Sequence, residues 1–158
     1  MKRLIFSLLA IGSIAVIFSA CSSTKTATGT SVSRGKIVGT WTVSSVTFDG
    51  LLENAVQSAF DQAKPKDFEG STWTLTNSGN GTYALANGTT QKIYWSFDNS
   101  TGSPVFQFKK IFEGDKAADV ASGYKLVVAN ADGSSMTLKS PVDNNGSTGY
   151  VIYSFTKK

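Results

Sequence analysis

The sequence predicts an all-β protein, an eight-stranded antiparallel up-and-down β-barrel, on three observations. Nearly everything after Lys36 alternates apolar and polar residues with period two in short runs, as strands with one buried face do. The runs are separated by Asn77-Ser78-Gly79-Asn80, Ala86-Asn87-Gly88, Asn99-Ser100-Thr101-Gly102, Ala131-Asp132-Gly133 and Asn144-Asn145-Gly146. Asn-Gly and Asp-Gly accept the positive φ of tight hairpin turns. Such short links make sequence neighbours spatial neighbours, and eight strands joined this way can close on themselves and leave no exposed edge.

The chain begins with a different signal. Lys2 and Arg3 precede an apolar run from Leu4 to Phe18, then Ser19-Ala20-Cys21, the pattern of a secretory signal. The run is about fifteen residues, short of the roughly twenty that cross a bilayer core, and small polar residues follow it instead of a stop-transfer cluster. Phe18-Ser19-Ala20-Cys21 resembles the bacterial lipobox, with two small residues before the cysteine. The resemblance implies that residues 1–20 are removed and that Cys21 carries two or three acyl chains, palmitate-like in chemistry, in a bacterial envelope membrane. Two chains suffice for stable attachment, at about 0.8 kcal/mol per buried methylene. Cys21 is also the only cysteine, and thioether formation disposes of a thiol that has no partner in an oxidising compartment.

Residues 21–35 are rich in Ser and Thr with few bulky apolar groups and read as a flexible tether. Ser22 follows the acylated position; by analogy with lipoprotein sorting in Gram-negative cells this favours the outer membrane, and the absence of an acidic cluster next to it favours the periplasmic face without deciding between the two leaflets. Removing residues 1–20 takes away two of the fifteen basic residues and none of the eleven acidic ones, which leaves a formal charge of +2. Arg34 is the only arginine after the signal, so nucleic acid is not an expected partner. Residues 36–158 suit one compact domain.

Strands are expected at 37–48, 71–76, 81–86, 90–97, 105–112, 124–130, 134–139 and 149–156. The inward set begins with Ile37, Trp41 and Val43, continues through Trp73, Leu75, Tyr83, Leu85, Ile93, Trp95, Phe97, Phe106 and Phe108, and ends with Leu126, Val128, Met136, Leu138, Val151, Tyr153 and Phe155. On the first strand the apolar parity changes from odd positions through Val43 to even ones at Val46 and Phe48; a bulge near Ser44-Ser45 accounts for the change. Residues 51–64 depart from the alternation. Leu51, Leu52, Ala55, Val56, Ala59, Phe60 and Ala63 recur at helical spacing among polar residues, with Pro65 beyond, and predict an amphipathic helix of about four turns between the first two strands.

Gly39-Thr40-Trp41 on the first strand matches the Gly-X-Trp signature of the lipocalins, just ahead of the eight-stranded meander. The chain resembles a divergent lipocalin-like bacterial lipoprotein over residues 36–158. The resemblance implies that Gly39 permits a close approach, that Trp41 plugs the closed end, and that the long link between the first two strands is a lid over the open end, with Leu52, Val56 and Phe60 as its apolar face.

The chain has no histidine. Ser-His-Asp and Cys-His machinery, His-ligated zinc and an imidazole base are therefore excluded. The carboxylates fall mostly in turns and on the polar side of 51–64, where solvated surface charge is the expected role; Asp132-Gly133-Ser134 is too short and too poor in oxygen ligands for a metal loop. No catalytic residue, metal or cofactor is expected. The remaining candidates are the inward aromatics Trp73, Tyr83, Trp95, Phe97, Phe106 and Phe108, which either line a chamber or fill it. If they line it, the protein holds a small hydrophobic ligand; if they fill it, the protein is a non-catalytic envelope scaffold or accessory subunit with a protein partner.

Overall fold

A computed structural model describes residues 32–118, 120 and 122–158. Cys21, the signal at 1–20 and the tether up to residue 31 lie outside the described residues. After one helical turn, α1 (Arg34–Ile37), come β1 (Gly39–Asp49), β2 (Thr72–Leu75), β3 (Asn80–Ala84), β4 (Thr90–Asp98), β5 (Val105–Lys110), β6 (Tyr124–Ala131), β7 (Ser135–Asn144) and β8 (Ser147–Lys157). Each strand pairs antiparallel with the next, and β1 pairs with β8, so the eight strands form a closed barrel in sequence order.

Closure depends on an irregularity in β1. Trp41 faces Lys157 and Val43 faces Phe155, but the register then shifts between Val43 and Ser45, and Val46 faces Tyr153. The inserted Ser44 moves the inward parity from odd to even residues, so Trp41, Val43 and Val46 are all buried. A second shift lies between Val128 and Asn130. Such bulges bend and twist a strand, as a closing sheet requires.

Alternating strand direction gives the barrel two distinct ends. Links 76–79, 99–104 and 132–134, α1 and the chain end after β8 share one end; the insert 50–71 and links 85–89, 111–123 and 145–146 share the other. The first end is shut by side chains. Trp41 is fully buried and its Nε1–H donates to the Ile37 carbonyl at 2.7 Å. The Lys157 ammonium lies 5.3 Å from the Trp41 ring centroid, and the Arg34 guanidinium lies 4.1 Å from that of Trp95 while donating to the Asn77 carbonyl. Gly39 has φ +142°, and a Cβ there would come within 2.7 Å of Lys157 Cε. The dihedral is what favours glycine, since the Lys157 side chain could shift to make room. The folded body also takes in Val32, which is buried, ahead of the boundary expected at residue 36.

The helix expected over 51–64 does not form. The segment contains a 3₁₀ turn at Glu53–Ala55 and an antiparallel bridge between Ala59 and Ala63, and a second 3₁₀ turn follows at Pro65–Phe68. Between the bridged alanines the chain reverses with Phe60 at φ +55° and Asp61 at φ +47°. The physical reason lies in competition. A lone helix of this length is marginal in water, whereas the reversal drives the Phe60 ring into the barrel mouth, where it is 6% exposed. Burying a phenylalanine is worth about 1.5–3 kcal/mol and its aromatic contacts add to this, against roughly 1–2 kcal/mol of left-handed backbone at each of Phe60 and Asp61.

β2 covers only the lower part of β1, from Gly39 to Thr42. Higher up, side chains replace the missing strand: Val46 N–H donates to Glu69 Oε1 at 2.8 Å, and Lys66 Nζ donates to the Val46 carbonyl at 2.6 Å and to Glu69 Oε1 at 2.9 Å. Those bonds, the Lys66 ammonium first, hold the Glu69 carboxyl below its ordinary value.

The link from β6 to β7 is fastened differently. Asp132 accepts from the backbone N–H and the hydroxyl of both Ser134 and Ser135, at 2.7–2.8 Å. Donors from Ser135, then Ser134, hold its carboxyl well below the usual carboxylate range. A carboxyl whose pKa is depressed by folding adds stability above its unfolded pKa, about 3.9, and that stability is lost as pH falls through the folded value. We expect the urea midpoint to drop on acidification below about pH 4 and the drop to be shallower in Asp132→Asn; equal slopes for the two proteins would show that this turn does not contribute.

Candidate functional site

The inward aromatics form two groups. Near the mouth, Trp73 stacks on Tyr83 with centroids 4.7 Å apart and planes 27° apart, and meets Phe108 edge-on at 5.5 Å. Nearer the closed end, Trp95 stacks on Phe106 at 5.6 Å and 24°. Phe106 and Phe108, 5.9 Å apart on β5, join the groups. These five are buried, whereas Phe97 is half-buried at the lower end of β4.

The upper group encloses two rings from the insert. Phe60 lies 5.0–5.4 Å from Phe68, Phe108, Tyr124 and Tyr153, and 6.3 Å from Trp73. Phe68, fully buried, lies 5.2–6.4 Å from Phe60, Trp73, Tyr83 and Tyr153. Most of these contacts are edge-to-face or tilted, the arrangements that the aromatic quadrupole favours. Two rings of the insert therefore occupy the space that the upper inward aromatics surround.

Of the three lid residues, only Phe60 enters the barrel. Val56 is half-buried, and Leu52 is 75% exposed. Leu52 and Val56 line an open groove of about 450 Å³ at the rim, together with Phe48, Glu53, Gln57, Pro65 and Lys66. Phe112, on the link after β5, is exposed at the same end. Gly39 and Trp41 sit at the opposite end, far along β1 from the insert.

Polar groups hold the reversal at Phe60. Tyr124 Oη donates to Asp61 Oδ2 at 2.7 Å, Lys110 Nζ donates to the Asp61 carbonyl at 3.0 Å, and Ala59 N–H donates to the Ala63 carbonyl at 2.7 Å. Burial, followed by donation to Asp61, pushes the Tyr124 hydroxyl up; burial pushes the Tyr83 hydroxyl up to about 12 and raises that of Tyr153 as well. All three stay protonated at neutral pH; Tyr124 donates to Asp61 and Tyr83 donates to Gln62 Oε1 at 3.5 Å. The Tyr153 hydroxyl and Trp95 Nε1 are buried with no hydrogen-bond partner among the described residues.

Among the described residues no group of three or more His, Cys, Asp or Glu side chains is placed to hold a metal ion. The site residue that the sequence analysis missed is Phe68. Its signal was available: it is the one large apolar side chain between Pro65 and Ser71, in an otherwise polar stretch. No family model matches the chain, and no curated protein matches it significantly.

Proposed function

We propose that this protein is a lipid-anchored, non-catalytic envelope lipoprotein whose filled barrel serves as a scaffold or accessory subunit for a protein partner. The observation that carries this reading is the occupied mouth: Phe60 and Phe68 stand where a carried molecule would need room. The exposed apolar side chains gather at that same end, with Leu52 75% and Phe112 60% exposed. Phe48, Leu52 and Val56 line one groove there, and a contiguous apolar patch is what marks a contact surface. The Lys2-Arg3 start, the apolar run and Ser19-Ala20-Cys21 support acylation at Cys21 and an outer-membrane location in a Gram-negative cell. The closed eight-strand meander and Gly39-Thr40-Trp41 support membership among divergent lipocalin-like lipoproteins.

Two experiments test the proposal. Labelling cells with an alkyne palmitate analogue is expected to tag the chain and to leave Cys21→Ser untagged; equal labelling of both would remove the anchor. Photo-crosslinking from position 52 in intact cells is expected to give one discrete adduct, lost when Phe112→Asp is added. A chain that stays uncrosslinked from position 52 would overturn the partner reading.

A further inference from the structure

Charge is divided between the two ends of the barrel. Of the chain's carboxylate side chains, Asp98 and Asp132 alone fall at the closed end by position along the sequence; the others lie on the insert 50–71, on link 111–123, or at the strand ends beside the mouth, as Asp49 and Asp143 do. The closed end carries Arg34, Lys36, Lys157 and Lys158. None of these four is in an ion pair among the described residues, where the bridges are Lys66–Glu69 and Lys139–Asp49. Three are held by uncharged groups: Arg34 over the Trp95 ring and on the Asn77 carbonyl, Lys157 over Trp41, and Lys158 Nζ on Thr72 Oγ1 at 3.1 Å. The two acids at that end are engaged elsewhere. Asp132 accepts from Ser134 and Ser135, and Asp98 accepts from the Ser100 N–H at 2.8 Å with the Lys125 charge nearby.

We infer that the closed end is a docking surface for an anionic phospholipid bilayer, and that the anchored barrel stands on it with the insert and its groove turned away from the membrane. The inference rests on the acyl anchor at Cys21 and goes beyond it, because an anchor leaves the orientation open. The stretch from Cys21 to Val32 spans at most about 40 Å, roughly the length of β1 itself at about 3.3 Å per residue, so either end can reach the surface. Charge decides between them. A basic side chain near an anionic surface shifts the equilibrium about fivefold, an effect that fades within a screening length, and the carboxylates of the mouth are repelled by the same field. In a tethered chain these charges need only select an orientation, not supply the affinity. Arg34 adds geometry: a guanidinium fixed over an indole keeps its remaining in-plane N–H groups free for phosphate oxygens. Leu52 and Phe112, at the opposite end, then face the aqueous side, where a protein partner can reach them.

The test uses the lipoprotein purified from cells, in vesicles of phosphatidylcholine alone or of equal parts phosphatidylcholine and phosphatidylglycerol. A fluorescent amino acid is placed at position 35, where Gly35 is exposed and a Cβ would meet nothing within 4 Å, or at position 52 beside the mouth. Quenching by a nitroxide on the lipid headgroup is expected to be stronger at 35 than at 52 in the anionic vesicles. The difference is expected to be largely lost in phosphatidylcholine alone and in about 1 M salt, where the screening length is about 3 Å. Lys36→Glu combined with Lys158→Glu is expected to shift the ratio of orientations about tenfold or more toward the mouth-down state, and the paired glutamine variants to shift it less in the same direction. Equal quenching at the two positions in anionic vesicles, stronger quenching at 52, or a preference for 35 that persists unchanged in phosphatidylcholine would overturn the inference. Failure of the anchor reads differently: a chain that does not float with phosphatidylcholine vesicles lacks its acyl chains, and joining Cys21 to a maleimide-headgroup lipid then carries the same measurement.

Discussion

Trp41→Ala is expected to destabilise the barrel by about 3–5 kcal/mol, the cost of removing a large buried aromatic and leaving a cavity. The residue has no exposure and lies under Lys157, with Ile37 and α1 closing over its Nε1. Deleting the indole therefore opens the closed end and also strands the Ile37 carbonyl. A urea titration checks the value: the midpoint should fall with little change in slope. Trp41→Phe separates the contributions, since it keeps most of the apolar volume and loses the hydrogen bond; its cost should be nearer 1 kcal/mol for that bond plus a smaller packing loss. A loss under 1 kcal/mol for Trp41→Ala would show that this end of the barrel is held by its strands alone.

The second large effect is expected at Phe68. Phe68→Ala should cost about 3–5 kcal/mol, because the ring is fully buried against Phe60, Trp73, Tyr83 and Tyr153 and no strand can move to fill the space. Phe60→Gly should cost less, although Phe60 touches more rings, because glycine removes about 1 kcal/mol of left-handed strain along with the side chain. The ordering is the diagnostic feature. If Phe60→Gly proves the more damaging of the two, the reversal at Phe60 and Asp61 is not strained in the way its dihedrals imply.

The barrel was legible in the sequence because its strands obey local rules. Alternation placed Trp73, Tyr83, Ile93, Trp95, Phe106 and Phe108 inside, and all are buried. The parity change between Val43 and Val46 located the bulge, since a one-residue insertion is the simplest way to keep both on the inner face. β7 was read too short. Beyond Leu138 the pattern runs Lys139-Ser140-Pro141-Val142-Asp143-Asn144, which does not alternate cleanly and includes a proline, yet these residues pair with β8 as far as Asn144 opposite Ser147. Their partner strand, not their own pattern, keeps them extended.

The insert was not legible for a related reason. The i, i+4 apolar spacing over 51–64 is a local property, and it is outvoted by a ring that finds five others in the mouth. Hydrophobic spacing reports which residues avoid water and is silent on whether they do so as a helical stripe or singly. Leu52 and Phe60 carry equal weight in the helical pattern; one is mostly in solvent and the other is enclosed. The choice between a chamber that is lined and one that is filled depended on Phe68, a single residue in a polar loop, and no periodicity marks a lone side chain.

The Lys66 and Glu69 side chains, bonded to Val46, bear on how copies of the chain meet one another. A bare upper β1 would offer a ready template on which another molecule's strand could dock, and strand-upon-strand growth is the usual route to insoluble assemblies. One ammonium and one carboxylate answer the donor and the acceptor that such a newcomer would need, so a short strand on one side of the barrel does not become a nucleus for fibre growth.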